Sequence, residues 1–320
     1  MPELPEVETI VRGLQGELVS RTIADVEVSR SDIIHGDPRP LAVLLPGRRV
    51  RLVRRRAKRV VIELHPDAQL IFHLGMSGRL TVCPRSSPVE FHTHVVVSFK
   101  RCARELRFRD PRRFGGVWCL AGGDQHVGRR LSELGPEPLQ MNLGDFQRLA
   151  SRGRQIKALL LDQRAIAGLG NIYCDESLHG AGIHPARRAD TMNLDQVRRL
   201  LRSIKSTLKR AIRSKGSTLM DYRQANGREG SFQKYHRVYG REGLPCLTCG
   251  TTIARFTIAG RSTFLCPRCQ PARKTSKRRN VKKSKRRNVE TSKSQNVRVA
   301  GPVSVAKRIF ALLACPAVDG

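Results

Sequence analysis

The chain has 320 residues, with 60 Lys+Arg against 27 Asp+Glu and a formal net charge of +33. Such a surplus repels itself unless a polyanion is near, and nucleic acid is the obvious one. No apolar run approaches the roughly 20 residues of a membrane helix, and no charged-then-apolar leader suggests secretion. One Trp, 4 Tyr and 10 Phe are too few for a single-strand stacking platform.

The first element predicted is a helix. Pro5 suits a first helical position, Glu6 and Glu8 complement its positive end, and Val7, Ile10, Val11, Leu14 and Leu18 recur at helical spacing. From Thr22 to about Leu120 the period changes to two, with strand-like runs at 49–53, 59–64, 70–74, 94–99 and 105–109. Many short strands with Gly- and Pro-marked turns predict two packed sheets. Leu134-Gly-Pro-Glu-Pro138 is a cluster of breakers and a plausible boundary. Helices are expected beyond it at 156–161 and 172–181, separated by the turn Gly168-Leu-Gly-Asn171. The strongest helix starts at an Asn193 cap with Gln196 three residues on. It buries Leu194, Val197, Leu200, Leu201, Ile204, Leu208 and Ile212, presents a basic opposite face, and ends by Gly216. A long polar stretch from Gly216 to Gly243 then reads as a functional loop.

Cys246-x2-Cys249 and Cys266-x2-Cys269 can bring four thiolates to one tetrahedral Zn²⁺. In a reduced cytosol such pairs read as metal ligands rather than disulfides. With four protein ligands the site is closed, so the zinc is structural. No His-x-Glu exists to complete a zinc deaminase signature. After Gln270 the composition shifts: residues 271–320 hold 14 Lys+Arg against 2 Asp+Glu. Ser276-Lys-Arg-Arg-Asn-Val281 recurs as Ser284-Lys-Arg-Arg-Asn-Val289. This segment has too little apolar surface to order itself and reads as a disordered cationic tail.

Several residues could carry chemistry. Removal of Met1 would leave Pro2 as a free secondary amine, and an α-amino group with pKa near ~8 is partly neutral at pH 7. Such an amine can attack a sugar aldehyde carbon to form an iminium while Glu3 manages the protons. On spacing alone, a plain helix lead-in is the simpler reading. Lys58 lies in a basic run, 54–59, that could merely meet phosphates. His73-Leu-Gly-Met-Ser-Gly78 and Asp110-Pro-Arg-Arg-Phe-Gly115 are tight turns that offer Met76 or Phe114 beside arginine, either as core or as wedges that unstack base pairs. His92 and His94 suggest phosphate contact or packing rather than a metal. Arg261, after Gly260, is a turn charge or a finger placed in a DNA groove.

Together these stretches resemble the formamidopyrimidine-DNA glycosylase family of bifunctional base-excision enzymes. The matching motifs are Pro2-Glu-Leu-Pro-Glu-Val-Glu-Thr9, Arg55-Arg-Ala-Lys58, the two wedge turns, Leu134-Gly-Pro-Glu-Pro-Leu139, Leu169-Gly-Asn-Ile-Tyr173, Val238-Tyr-Gly-Arg241 and the four cysteines with Gly260-Arg261. Pro2-Glu-Leu-Pro, rather than the Pro-Glu-Gly-Pro of the related endonuclease VIII enzymes, favours the oxidised-purine branch.

The resemblance implies an α+β fold: an N-terminal two-sheet β-sandwich (1–135), a helix-two-turn-helix domain with a lesion-recognition loop (136–243) and a zinc finger (244–270). It implies damaged duplex DNA in the cleft, one structural zinc, no membrane, a monomer, and a cytoplasmic enzyme of bacterial type associated with DNA. The amine of Pro2 would attack C1′ of a flipped nucleotide and Glu3 would protonate the sugar. Lys58 would serve β-elimination and Arg261 δ-elimination. Met76, Arg112 and Phe114 would fill the void left by the extruded base. His92, Arg112 and Asn171 would contact DNA, and the loop after Gly216 would close over the oxidised purine. Two departures stand out: the tail, and Gly153, where many relatives carry a DNA-contacting lysine. Arg154 beside it is the substitute contact expected here.

A basic zinc-ribbon RNA- or DNA-binding protein would explain charge, zinc and repeat, but not Pro2-Glu3 or the wedge turns. An endonuclease VIII-like enzyme acting on oxidised pyrimidines is the rival within enzymes. Duplexes carrying single lesions separate all three.

Overall fold

The computed structural model describes residues 1–36, 39–121 and 131–272. The cationic tail expected from the composition lies outside them, apart from its first two residues.

Helix α1 (Leu4–Leu18) opens the fold and buries Leu4, Val7, Ile10, Val11, Leu14 and Leu18. Nine strands follow: β1 (Ile23–Val28), β2 (Ile34–Gly36), β3 (Arg49–Arg56), β4 (Arg59–His65), β5 (Ala68–His73), β6 (Arg79–Pro84), β7 (Thr93–Phe99), β8 (Arg104–Arg109) and β9 (Gly116–Ala121). They form a four-stranded sheet ordered β1-β7-β8-β6 and a five-stranded sheet ordered β2-β9-β5-β4-β3. A short helix, α2 (Leu41–Leu44), lies between β2 and β3. One apolar core joins both sheets, and Phe72 meets Phe108 across it with ring centroids 5.6 Å apart. Four of the five strand-like runs of the sequence fall within strands, and the fifth, 70–74, runs one residue past the end of β5. β1, β2, β6 and β9 were not among them. In β6 and β9 the alternation is short, broken by a closing Pro84 in the first and an opening glycine in the second.

The helical part comprises α3 (Leu143–Ala150), α4 (Ile156–Leu161), α5 (Asn171–Ala181) and α6 (Leu194–Arg213). As expected, Asn193 and Gln196 form a reciprocal capping box on α6. Val197, Leu200, Leu201, Ile204, Leu208 and Ile212 are buried, but Leu194 is 45% exposed. Standing first in the helix, it lies beyond the reach of the core that its period points to. Strands β10 (Ala254–Ile258) and β11 (Arg261–Leu265) make the C-terminal hairpin. Its two-residue turn has Ala259 at φ +49° and Gly260 at φ +70°, the left-handed pair that a tight hairpin requires.

The cores interlock through two exchanges. Leu4 of α1 belongs to the helical core, whereas Tyr222 and Ala225 of the 216–243 stretch belong to the sandwich core. That stretch is therefore a docked segment rather than a free loop. Ala225 accepts from the Val82 N–H (2.9 Å), and Arg79 Nε donates to the Asp221 carbonyl (2.7 Å). Between the anchors Ser217 and Tyr222, Leu219 and Met220 stand 50% and 81% exposed. No helix among the described residues is long and apolar enough to cross a membrane.

Candidate active site

The N-terminus meets the start of α5. Leu4 N–H donates to the Gly168 carbonyl (3.1 Å), and the Glu3 carboxylate accepts from Gly170 N–H (2.7 Å) and Ile172 N–H (3.0 Å). Gly170 is required here, since a Cβ on it would lie 2.3 Å from the Glu3 carboxyl carbon. The helix N-terminus and its N–H groups favour the carboxylate. Burial outweighs them: with Glu3 only 3% exposed, its pKa is pushed up from 4.5 to about 7, and the Lys58 charge only partly opposes this. Pro2 is buried directly before it, and Met1 is 52% exposed.

Lys58 is brought to Glu3 by the β3–β4 hairpin, whose two-residue turn has Ala57 at φ +54°. Burial lowers the Lys58 pKa, and the nearby Glu3 carboxylate resists the shift. The neighbouring arginines do not form a free phosphate-facing strip. Arg54 Nε holds Glu63 (2.6 Å), and Arg55 and Arg56 hold Glu137 at 2.7 and 3.2 Å. Glu137 also accepts from Ala57 N–H (2.7 Å), and Arg56 donates to the Leu134 and Gly135 carbonyls. The breaker cluster at 134–138 thus clamps the Lys58 turn. Buried Cys174 lies near both Glu3 and Lys58, and burial pushes its thiol well up.

Glu6, read from sequence as a helix-dipole residue, is 2% exposed and central to the junction. Its carboxylate accepts from Glu3 N–H (2.9 Å), Ser217 N–H (2.7 Å) and the Tyr173 hydroxyl. Burial raises its pKa despite these bonds. The start of the 216–243 stretch, α5 and the N-terminus thereby share one buried acid. Sequence spacing could not have exposed this, because its partners lie some 170 and 210 residues away.

The turns at 73–78 and 110–115 are one unit. A Cβ on Gly75, at φ +58°, would lie 2.4 Å from the Phe114 carbonyl carbon, so the turns abut backbone to backbone. Ser77 Oγ donates to Asp110 (2.5 Å), and Asp110 accepts from Gly115 N–H (2.7 Å). Asp110 N–H donates to the His92 carbonyl (3.1 Å), and His94 bonds the Asp110 carbonyl (3.0 Å). Phe114 is 55% exposed with the Arg112 guanidinium 4.9 Å above its ring, so it is not core. Met76 is half-buried. His73 ties this unit to Lys58: burial, with Arg59 and Lys58 nearby, lowers its pKa to about 4.

Arg261 is exposed at the start of β11, and its neighbour is fixed from below. The Ser262 carbonyl accepts from Asn171 Nδ2 (2.9 Å) and Lys157 Nζ (2.9 Å). Lys157, fully buried in α4, also donates to Thr263 Oγ1 (2.9 Å) and pairs with fully buried Asp175 (2.7 Å). Arg154 stands apart from these groups in an ion pair with Asp162 (2.7 Å). At Gly153 the nearest atom to a Cβ would be the tip of the exposed Arg188 side chain, 2.5 Å away, and nothing else in the structure explains the glycine.

Cys246, Cys249, Cys266 and Cys269 present sulfurs within 4.8 Å of one another. Individual Sγ separations of 3.4, 3.5 and 3.9 Å match the roughly 3.8 Å edge of a tetrahedron with 2.3 Å Zn–S bonds. The donor set fits one structural zinc. The small core around it contains Val238 and Ile253, so most of the folding free energy of this unit must come from the metal. Cys249→Ser is expected to lose stoichiometric zinc and weaken duplex binding, read by metal analysis and anisotropy. A zinc-free wild type with normal activity would refute the site.

Comparison with known proteins agrees with this arrangement. Profiles described as the formamidopyrimidine-DNA glycosylase N-terminal domain, the formamidopyrimidine-DNA glycosylase H2TH domain and the zinc finger found in FPG and IleRS match residues 1–117, 134–223 and 243–272. The formamidopyrimidine-DNA glycosylase of Herpetosiphon aurantiacus is 44% identical over 275 residues, covering 84% of this chain and all of the relative. This chain belongs to the formamidopyrimidine-DNA glycosylase family. Another member of the family, from Gluconobacter oxydans, is 44% identical over 277 residues, with the same coverage of both chains. Among solved structures, the MutM (Fpg) protein of Thermus thermophilus has 41% identity and a TM-score of 0.75, covering 84% of this chain and 98% of its own. A Lactococcus lactis Fpg mutant, in complex with a Fapy-dG containing DNA, has 33% identity and a TM-score of 0.78, covering 85% and 100%.

Proposed function

We propose that this glycosylase excises oxidised purines from duplex DNA and cleaves the resulting abasic site by β,δ-elimination. It works in the cytoplasm as a monomer, with damaged duplex DNA as its partner. The observation that carries the reading is the buried Glu3 carboxyl, poised at about 7 beside Pro2 and Lys58. A carboxyl that is partly protonated at neutral pH can donate a proton to the sugar of a flipped nucleotide. With Met1 removed, the Pro2 amine attacks C1′ and the base departs; the amine proton is lost, the C1′–O4′ bond breaks with O4′ taking the Glu3 proton, and an iminium then joins C1′ to the proline nitrogen. Lys58, whose pKa burial lowers, serves β-elimination, and Arg261 serves δ-elimination. Met76, Arg112 and Phe114 occupy the space of the extruded base. His92 and Asn171 meet the backbone, and Arg154 does so once it leaves Asp162. Zinc holds the finger that carries Arg261.

Borohydride reduction on a duplex with a single 8-oxoguanine is expected to give a covalent adduct that maps to the peptide beginning at Pro2. An adduct on Lys58, or none from protein that binds the duplex, would sink the Schiff-base assignment. Faster trapping on oxidised pyrimidines would favour the endonuclease VIII-like reading instead.

A further inference from the structure

Four arginines converge on an open groove of about 340 Å³ that this chemistry does not use. Arg199, Arg202 and Arg210 come from α6, and Arg237 from the segment that follows it. Elsewhere in the helical part some exposed arginines are held by acids, Arg198 by Asp195 at 2.8 Å and Arg188 by Asp190 at 2.7 Å, whereas exposed Arg152 and Arg213 lie apart from this groove without an acid partner among the described residues. These four have no acidic partner among the described residues. Glu176, the acid in the groove wall, is buried and accepts from the N–H groups of Arg237, Val238 and Tyr239 at 2.9–3.0 Å. Its charge is satisfied by backbone and does not draw in the guanidinium groups. Arg210 lies 5.9 Å from the ring of Tyr235, which fixes one end of the array.

Four like charges around one groove repel, and an anion relieves that cost. Guanidinium forks match the oxygens of phosphate. Arg199 and Arg210 are eleven residues apart on one helix, about 16 Å at 1.5 Å per residue. That span suits several phosphates of a strand better than one small anion. The groove is also separate from the active site. Asn171 opens α5 and Gly180 lines the groove nine residues later. At 3.6 residues per turn, Gly180 lies about 13 Å along the helix and on its opposite side.

We propose that this groove is a second phosphate-binding site, which grips the backbone of duplex DNA outside the catalytic cleft. It rests on the reading that the chain works on duplex DNA. Backbone contacts carry no sequence information, so the groove lengthens residence on DNA without choosing lesions.

The test uses the full chain with Arg199→Gln and Arg202→Gln together, and a control with Lys100→Gln and Arg101→Gln. The control removes equal charge from the exposed β7–β8 turn. Affinity for an undamaged duplex of roughly 40 base pairs is measured against salt, and losing two contacts should flatten the log–log slope by about 1.8. A flatter slope in the groove variant, with the control slope and both single-turnover excision rates unchanged, supports the site. Equal slopes in all three proteins, or equal flattening in both variants, overturns it. Inorganic pyrophosphate is the second probe. Thermal stabilisation of wild type but not of the groove variant, with an unaltered DNA slope, would overturn a DNA site in favour of a small phosphate compound. Borohydride trapping on the lesion duplex is scored in the same proteins. An intact adduct with no groove effect removes this site alone and leaves the enzymatic reading standing.

Discussion

Glu3→Gln is expected to lower excision of 8-oxoguanine by about 10²–10⁴-fold, the usual worth of a positioned proton donor. An amide keeps the size of the side chain but has no acidic proton. Duplex binding should persist, because Glu3 is buried and its charge is not presented to phosphates. Cleavage of a preformed abasic site should fall much less, since there the base has already left. Single-turnover rates on both substrates check this, and equal loss on both would move Glu3 from base departure to the shared imine steps. The pH dependence has a definite sign. With its pKa raised to about 7, wild-type Glu3 supplies its proton below neutrality, so excision should decline as pH rises beyond that value. Stability follows the same group. The folded state holds a proton between pH 4.5 and about 7 that the unfolded state has released, so this contribution to stability is lost as pH rises through that window. The thermal stability of Glu3→Gln relative to wild type should therefore improve from pH 5 to pH 8.

The sequence made the scaffold more legible than the junctions. Period alone separated the strands from the helices, and the cap at Asn193 located the longest helix. These signals are local, because a strand or helix declares its buried face within a few residues. The motif spacing also led to four sulfurs that meet at one point. Long-range polar partners left no such trace. Glu6 resembles any acid in a first helical turn, and only the fold brings Tyr173 and Ser217 to it. Arg55 and Arg56 read as phosphate contacts until Glu137, about 80 residues on, takes them up. The 216–243 stretch looked structureless because Tyr222 and Ala225 lend their apolar surface to a core built elsewhere. Lys157 is the extreme case: a cation inside a six-residue helix, indistinguishable in sequence from one facing water.

Lys157→Met is therefore expected to cost about 3–5 kcal/mol, the penalty for stripping one partner from a buried ion pair. Melting should fall on the order of 10 °C for a domain of this size. Asp175 sets the pH dependence. Burial already lifts its pKa to about 6 even though Lys157 lowers it, so without the lysine it should rise further and take up a proton on mild acidification. The variant should thus be less damaged at pH 5 than at pH 8, and Lys157→Met with Asp175→Asn should recover part of the loss at pH 8. The functional consequence follows from Ser262. Its carbonyl is held by Lys157 and Asn171, and without the lysine only Asn171 fixes the strand next to Arg261. Product analysis on a preformed abasic duplex should show β-elimination ends accumulating at the expense of δ-elimination ends. Zinc content is measured alongside, because a finger that had unfolded would lose its metal as well. A destabilised variant with full zinc and an unchanged product ratio would mean that the buried pair stabilises the fold without aiming Arg261.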